Sequence, residues 1–203
     1  MLNRFIFFSV FCLLLVFSAC KKSNNSGSNS GPNPLTGSWQ FTSETSNANI
    51  TATETLGPIS VNVLAVVDFR TINNTGTFTF TADTLQAINL GYSIDTTYTA
   101  YTTAGGVTDT SYYPLKTTVA PANSSASYKL IGQDSIYFPN GSPFSVNVDT
   151  GQAPVEITGA HFSIVGSTLT LTSIFTKTST ETVGGITAPT TGHISSVITM
   201  TKQ

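Results

Sequence analysis

Hydrophobic and polar residues alternate with a period close to two from Leu35 to the C-terminus, which is the pattern of β-strands with one buried face. The alternation is cleanest over residues 77–81 and 168–172, where Phe or Leu separates successive Thr residues. Residues 60–69 place Val, Ala and Phe on one face, and partly apolar residues on the other. Because no helical period follows the first twenty residues, we predict an all-β fold with little helix.

Turn residues divide the strands into hairpins. One hairpin is predicted over residues 126–138 and another over residues 162–175, each turning at a loop that contains Gly. Clusters of Pro, Gly and Asn mark further loops at residues 105–106, 139–141 and 184–185. None of these loops is long enough to separate two domains, so residues 35–203 are predicted to form a single all-β domain. An antiparallel up-and-down meander barrel and an immunoglobulin-like β-sandwich both fit this arrangement of strands.

The beginning of the chain follows a different pattern. Arg4 precedes an almost wholly apolar run over residues 5–17, which ends in a Ser-Ala-Cys triplet. This run is shorter than the about 20 residues that a membrane-spanning helix needs, and its layout is typical of a secretory signal. With Cys directly after the small residues, residues 1–19 resemble a bacterial lipoprotein signal peptide with its lipobox. The resemblance implies that cleavage leaves Cys20 at the N-terminus, with diacylglycerol on its thiol and an acyl chain on its amine.

Residues 20–34 are predicted to be the lipidated Cys and a flexible polar tether of Lys, Ser, Asn, Gly and Pro. A tether of this length spans about 20 Å on a root-mean-square basis. Lipoproteins of this type are sorted by the residues after the Cys, and Lys21 implies the outer membrane. The lipid on Cys20 thus predicts the membrane as a partner, with the domain facing the periplasm; exposure at the cell surface stays open.

The entry to the domain carries a second resemblance. Residues 35–41 read Leu-Thr-Gly-Ser-Trp-Gln-Phe, which resembles the Gly-x-Trp entry strand of lipocalin-like proteins. The resemblance implies that Trp39 closes the barrel floor against a basic residue of the last strand, a position that Lys202 occupies, through a cation–π contact. It also implies a barrel that binds a small apolar or amphipathic ligand. The expected ligand-contacting residues are Phe78, Phe80, Leu169 and Leu171 inside the barrel, with Tyr98 and Tyr101 near its mouth.

Composition and charge exclude other classes. Only 9% of the residues are charged, while the chain holds 35 Thr and 24 Ser residues. Residues 35–203 contain five basic and ten acidic residues, a net charge of 5 − 10 = −5, so no basic surface for nucleic acid is predicted. Both cysteines lie in residues 1–20, so the domain has no disulfide and must be stabilised by its core.

No motif predicts catalysis, a metal or a cofactor. His161 and His193 are the only histidines and lack ligand spacing, and no Gly-x-Ser-x-Gly elbow or phosphate loop is present. We therefore expect a protein that is not an enzyme. The alternative function is a structural or adhesive surface module that contacts glycan or protein. An envelope hydrolase would need a cleft that gathers acids or a Ser–His pair.

Two features of the middle of the chain have functional interest. Tyrosines concentrate between Tyr92 and Tyr113, among Thr and Gly, where they suit either ligand contact or a half-exposed sheet. Asp68 lies between Val67 and Phe69 in the most apolar strand, and we expect it at that strand's exposed end.

Overall fold

A computed structural model of the chain describes residues 33–56, 59–146, 155–183 and 186–203. Within these ranges the chain forms β-strands and no helix, which confirms the all-β prediction. The strands in chain order are β1 Gly37–Leu56, β2 Ile59–Arg70, β3 Ile72–Phe80, β4 Thr84–Ala104, β5 Val107–Ser127, β6 Lys129–Ile131, β7 Ser135–Tyr137, β8 Ser145–Val146, β9 Val155–Glu156, β10 Gly159–Val165, β11 Thr168–Val183 and β12 Ile186–Lys202.

Ten of these strands form one antiparallel sheet that closes into a barrel. Two pairs of strands are continuous runs of chain: β2 and β3 meet at Thr71, and β5 and β6 meet at Tyr128. The ring order is therefore β1, β2/β3, β4, β5/β6, β7, β10, β11 and β12, with β12 paired back to β1. This is an up-and-down meander, and it confirms the barrel rather than the β-sandwich. The strands β8 and β9 pair only with each other, between β7 and β10.

The barrel has two ends of different construction. The closed end contains both chain ends of the domain, and large apolar side chains fill it. Towards the other end six strands continue as a curved sheet in the order β11, β12, β1, β2, β4 and β5. We call this the hairpin end, because β1/β2, β4/β5 and β11/β12 turn there. In the described ranges β5 pairs only with β4, and it carries Pro114 and Pro121, residues that lack an N–H and are tolerated at sheet edges.

A corner separates the two ends. The register between β1 and β12 shifts between Phe41 and Ser43, and Thr71 interrupts the run of β2 into β3. Gly76 has φ 103°, and a Cβ built on it would lie 2.6 Å from the Leu90 Cα. Only Gly therefore fits where β3 approaches β4 this closely. The corner turns the sheet and changes which residues of β1 face the interior.

The predicted hairpins are present as β6/β7 and β10/β11, and the buried residues in this part of the sheet include Ile136, Phe138, Ile198 and Met200. The strand predicted over residues 60–69 is β2, with its Val residues buried on the predicted face. The predicted signal peptide at residues 1–19, Cys20, most of the tether and the loop at residues 184–185 lie outside the described residues.

Candidate ligand-binding site

Trp39 forms part of the floor of the barrel at its closed end. Its side chain is fully buried, and its Nε1 donates a hydrogen bond to the Leu35 carbonyl oxygen at 2.8 Å. Lys202 is the register partner of Trp39 across β1 and β12, and its Nζ lies 5.4 Å from the centroid of the Trp39 ring. The structure therefore contains the cation–π contact that the sequence resemblance implied.

The four apolar residues expected to line a ligand site lie in the packed core at this closed end. Phe78, Phe80, Leu169 and Leu171 are all buried. Phe78 makes an edge contact with Phe41 at 5.9 Å between ring centroids and a tilted contact with Phe144 at 4.9 Å. These side chains fill the closed end, so they serve the core of the domain.

A carboxyl group is buried above this apolar core. Glu44 follows the register shift in β1, which turns it inward although Phe41, three residues earlier, also points inward. Its side chain is 5% exposed, and its Oε1 accepts a 2.7 Å hydrogen bond from the Ser196 hydroxyl. Thr71 holds the backbone here: its Oγ1 accepts from the Glu44 N–H at 2.8 Å, and its N–H donates to the Glu44 carbonyl at 2.9 Å.

Burial sets the electrostatics of this acid. Desolvation raises the pKa of the Glu44 carboxyl above its usual 4.5, and the hydrogen bond from Ser196 opposes that rise. Burial also raises the pKa of the Tyr92 hydroxyl, with a further contribution from the charge of Glu44. Tyr92 is thus a core residue near the acid rather than a residue of the barrel mouth.

Small side chains line the inner wall between Glu44 and the hairpin end. The buried members of this wall are Ala48, Ala52, Ala65, Ala100 and Ala188, accompanied by Val61 and Val63. Thr102 extends the wall on β4, opposite Val63, and its Oγ1 is buried with no hydrogen-bond partner in the described part of the chain. A buried hydroxyl without a partner is costly, which makes it a candidate contact for a bound molecule.

The two tyrosines expected at the mouth lie on opposite faces of β4. Tyr98 points inward, where its ring stacks on Tyr113 with centroids 5.3 Å apart and 26° between the planes. Tyr101 is 38% exposed on the outer face. Tyr98 also lies thirteen residues beyond Leu85, the register partner of Phe80, and the register shifts of β4 lie between them. Tyr98, Tyr101 and the four apolar residues therefore do not surround one small ligand.

An open groove of about 490 Å³ crosses the outer face of the sheet beside the corner. It lies over β12, β1, β2 and β4. The side chains that point outward into it come from Thr45, Asn47, Asp68, Arg70, Asp95, Ser195 and Val197. Asp68 is exposed, as expected, and its Oδ1 accepts a 2.6 Å hydrogen bond from the Asn47 amide.

A Ser–His contact exists at the surface, at a place the sequence did not indicate. The Ser135 hydroxyl lies 3.0 Å from His161 Nδ1, and Asp134 Oδ2 lies 4.0 Å from that same nitrogen. A catalytic relay needs the acid and the nucleophile on different ring nitrogens, so this geometry does not correspond to one. Among the described residues, no group of three or more His, Cys, Asp or Glu could hold a metal ion.

Sequence reasoning missed both Glu44 and the groove. Alternation alone places Phe41 and Glu44 on opposite faces of β1, and only the register shift brings both inward. The groove combines residues of four strands that are far apart in the sequence. The groove residue that did stand out was Asp68, because a carboxylate in an apolar strand is unusual.

The described residues define a closed antiparallel β-barrel protein, compatible with a lipocalin-like barrel, with a buried acid inside and a polar groove outside. No helix within the described ranges is long and apolar enough to cross a bilayer. Comparison of the chain with protein-family models, curated proteins and solved structures finds no significant match.

Proposed function

We propose that this chain is a lipid-anchored protein of the bacterial outer membrane, not an enzyme, whose lipocalin-like barrel binds a small amphipathic ligand at its hairpin end. The observation that supports a ligand site is the change in side-chain size and polarity along the inner wall. Large apolar residues fill the closed end, whereas small residues, the buried Glu44 and the unpartnered Thr102 hydroxyl line the wall above it.

The proposed ligand has an apolar part and a polar head. The Ala and Val side chains of the inner wall present an apolar surface to the apolar part. Thr102 supplies a polar contact that orients a ligand in such a site, at the level of Val63 and Ala52 of the inner wall. A head group that donates a hydrogen bond suits the Thr102 oxygen.

The ligand is tested by native mass spectrometry of the full-length protein extracted from its own membrane. We expect a non-covalent adduct, and we expect Ala100→Leu to abolish it by filling the inner wall. Thr99→Leu is the matched control, because Thr99 is the neighbouring residue on the outer face of β4. Thermal unfolding of both variants establishes that the fold is kept. Absence of any adduct, or an adduct that survives Ala100→Leu in a folded protein, would contradict the proposal.

The anchor rests on the lipobox resemblance and has its own test. Metabolic labelling with palmitate should mark the wild-type protein and leave Cys20→Ala unlabelled and unprocessed. Protease added to intact cells then distinguishes the two sides of the membrane. A periplasm-facing domain is protected, whereas a surface module is digested.

A further inference from the structure

The groove on the outer face is built from two rows of side chains that run across neighbouring strands. In the first row Thr45 of β1 is the register partner of both Val197 of β12 and Arg70 of β2. In the second row Asn47 is the partner of both Ser195 and Asp68. Each row therefore places side chains from three hydrogen-bonded strands next to one another.

Strand β4 completes the groove on its far side. Asp95 points outward there, and its Oδ2 pairs with Lys116 Nζ at 2.8 Å. Thr96 donates a 3.0 Å hydrogen bond to the Asp68 carbonyl oxygen, which connects β4 to β2 at this level. This side of the groove is thus held to β2 by a hydrogen bond.

The groove presents both hydrogen-bond donors and acceptors. Asp68 and Asp95 offer the carboxylate oxygens that their bonds with Asn47 and Lys116 leave free. Asn47 keeps one amide N–H beside its bonds to Asp68 and Asn49, and hydroxyls come from Thr45 and Ser195. Arg70 offers a guanidinium that forms no hydrogen bond or ion pair with other residues in the described ranges. An unpaired guanidinium beside carboxylates and an amide leaves a strong donor available to a ligand.

The charges in and beside the groove balance. Arg70 and Lys116 contribute two positive charges, and Asp68 and Asp95 contribute two negative charges, so 2 − 2 = 0. A balanced groove has no net preference for an anion or a cation. A hydroxyl group, which both donates and accepts, matches this mixture of donors and acceptors better than any ion does. The Val197 side chain and the Thr45 methyl group add a small apolar area that fits the C–H face of a sugar ring.

We propose that this outer groove is a binding site for a neutral saccharide. Its carboxylates and the Asn47 amide take the sugar hydroxyls, and Arg70 donates to a ring or hydroxyl oxygen. The volume of about 490 Å³ lies in the range of small-ligand sites. The site is separate from the barrel interior, because these side chains point away from Glu44 and the inner wall.

Saturation-transfer NMR on the full-length chain tests this site. The protein is kept in a non-glycosidic detergent, so that no sugar headgroup competes. The probes are glucose, galactose, mannose, N-acetylglucosamine and lactose at millimolar concentrations. Inorganic phosphate and Ca²⁺ are the ionic probes, and their binding is measured by isothermal titration calorimetry because they have no protons that saturation transfer detects. We expect at least one sugar to bind, and Asp68→Asn and Arg70→Gln each to weaken that binding about tenfold.

Two variants make the result specific. Asp109→Asn makes the same change at an exposed residue of β5 outside the groove, and it should leave sugar affinity unchanged. Glu44→Gln changes the interior and should also have no effect on the sugar. The proposal is overturned if no sugar binds, if only phosphate or Ca²⁺ binds, or if sugar binding survives both groove substitutions. Loss of sugar binding in Glu44→Gln alone would place the sugar in the barrel interior.

Discussion

Lys202 and Trp39 join the last strand of the barrel to the first. They are register partners across β12 and β1, and the Lys202 ammonium lies 5.4 Å from the centroid of the Trp39 ring. The contact lies where the first and last strands of the domain pair and close the ring of strands. It therefore connects parts of the chain that are separated by most of its length.

This contact should stabilise the domain measurably. We expect Lys202→Met, which keeps most of the aliphatic stem and removes the charge, to lower the free energy of unfolding by about 0.5–1 kcal/mol. Urea unfolding followed by the fluorescence of Trp39, the single Trp of the chain, reports the change. Lys129→Met on the exposed strand β6 is the control and should stay within about 0.5 kcal/mol of wild type. Equal effects of the two substitutions would show that the ring contact contributes nothing.

Glu44 should make stability depend on pH in a defined direction. Its carboxyl has a raised pKa in the folded protein, so between 4.5 and that raised value the folded state binds more protons than the unfolded state. Its contribution is fully present below 4.5 and is lost as pH rises through the folded pKa. Stability should therefore fall with rising pH, by at most about 1.4 kcal/mol per pH unit.

The non-titrating variant Glu44→Gln isolates this effect. Its stability relative to wild type should increase as pH rises above 4.5, as measured by urea unfolding at several pH values. Ser196→Ala removes the hydrogen bond that lowers the Glu44 pKa, so the loss of stability in that variant should extend to higher pH. A constant difference between wild type and Glu44→Gln at every pH would contradict the expected linkage.

Gly76 should be far less tolerant of substitution than Gly105. Gly76→Ala places a Cβ 2.6 Å from the Leu90 Cα and 2.7 Å from the Asn89 carbonyl oxygen, at φ 103°. Because both contacts are with backbone, we expect a loss of about 2–4 kcal/mol in unfolding free energy. Gly105→Ala has a positive φ of 58° but nothing within 4 Å, so about 1 kcal/mol is expected. Thermal or urea unfolding measures the loss of stability in each variant. Equal losses for Gly105→Ala and Gly76→Ala would show that the positive φ, and not the close backbone contacts, causes the destabilisation.

Tyr98 and Tyr113 should be energetically coupled. Their rings stack at 5.3 Å between β4 and β5. A double-mutant cycle with Tyr98→Leu and Tyr113→Leu is expected to give a coupling of about 0.5–1.5 kcal/mol. Tyr101→Leu and Tyr112→Leu on the outer face provide the comparison, since these exposed rings form no stack. If the losses of unfolding free energy in Tyr98→Leu and Tyr113→Leu are additive in the double variant, the stack does not stabilise the fold.

Much of the fold follows from period-two alternation. Alternation predicts the buried face of β2 and the two hairpins after residue 126, because successive side chains along a strand point to opposite faces of the sheet. The same rule places Tyr98 and Tyr101 on opposite faces, because they are three residues apart. From the sequence, Tyr98 and Tyr101 are expected to lie together because tyrosines are concentrated in this stretch. In the sheet their side chains point to opposite faces.

The sequence by itself determined an all-β meander, its turns and its apolar core, because these depend on local alternation. The resemblance of residues 35–41 to lipocalin-like proteins implied the Trp39–Lys202 pair. Only the tertiary structure decided which polar residues meet. The register shift in β1 turns Glu44 into the interior, and the pairing of β12, β1, β2 and β4 assembles the outer groove. Register and closure depend on long-range hydrogen bonding between strands, and no short stretch of sequence contains that information.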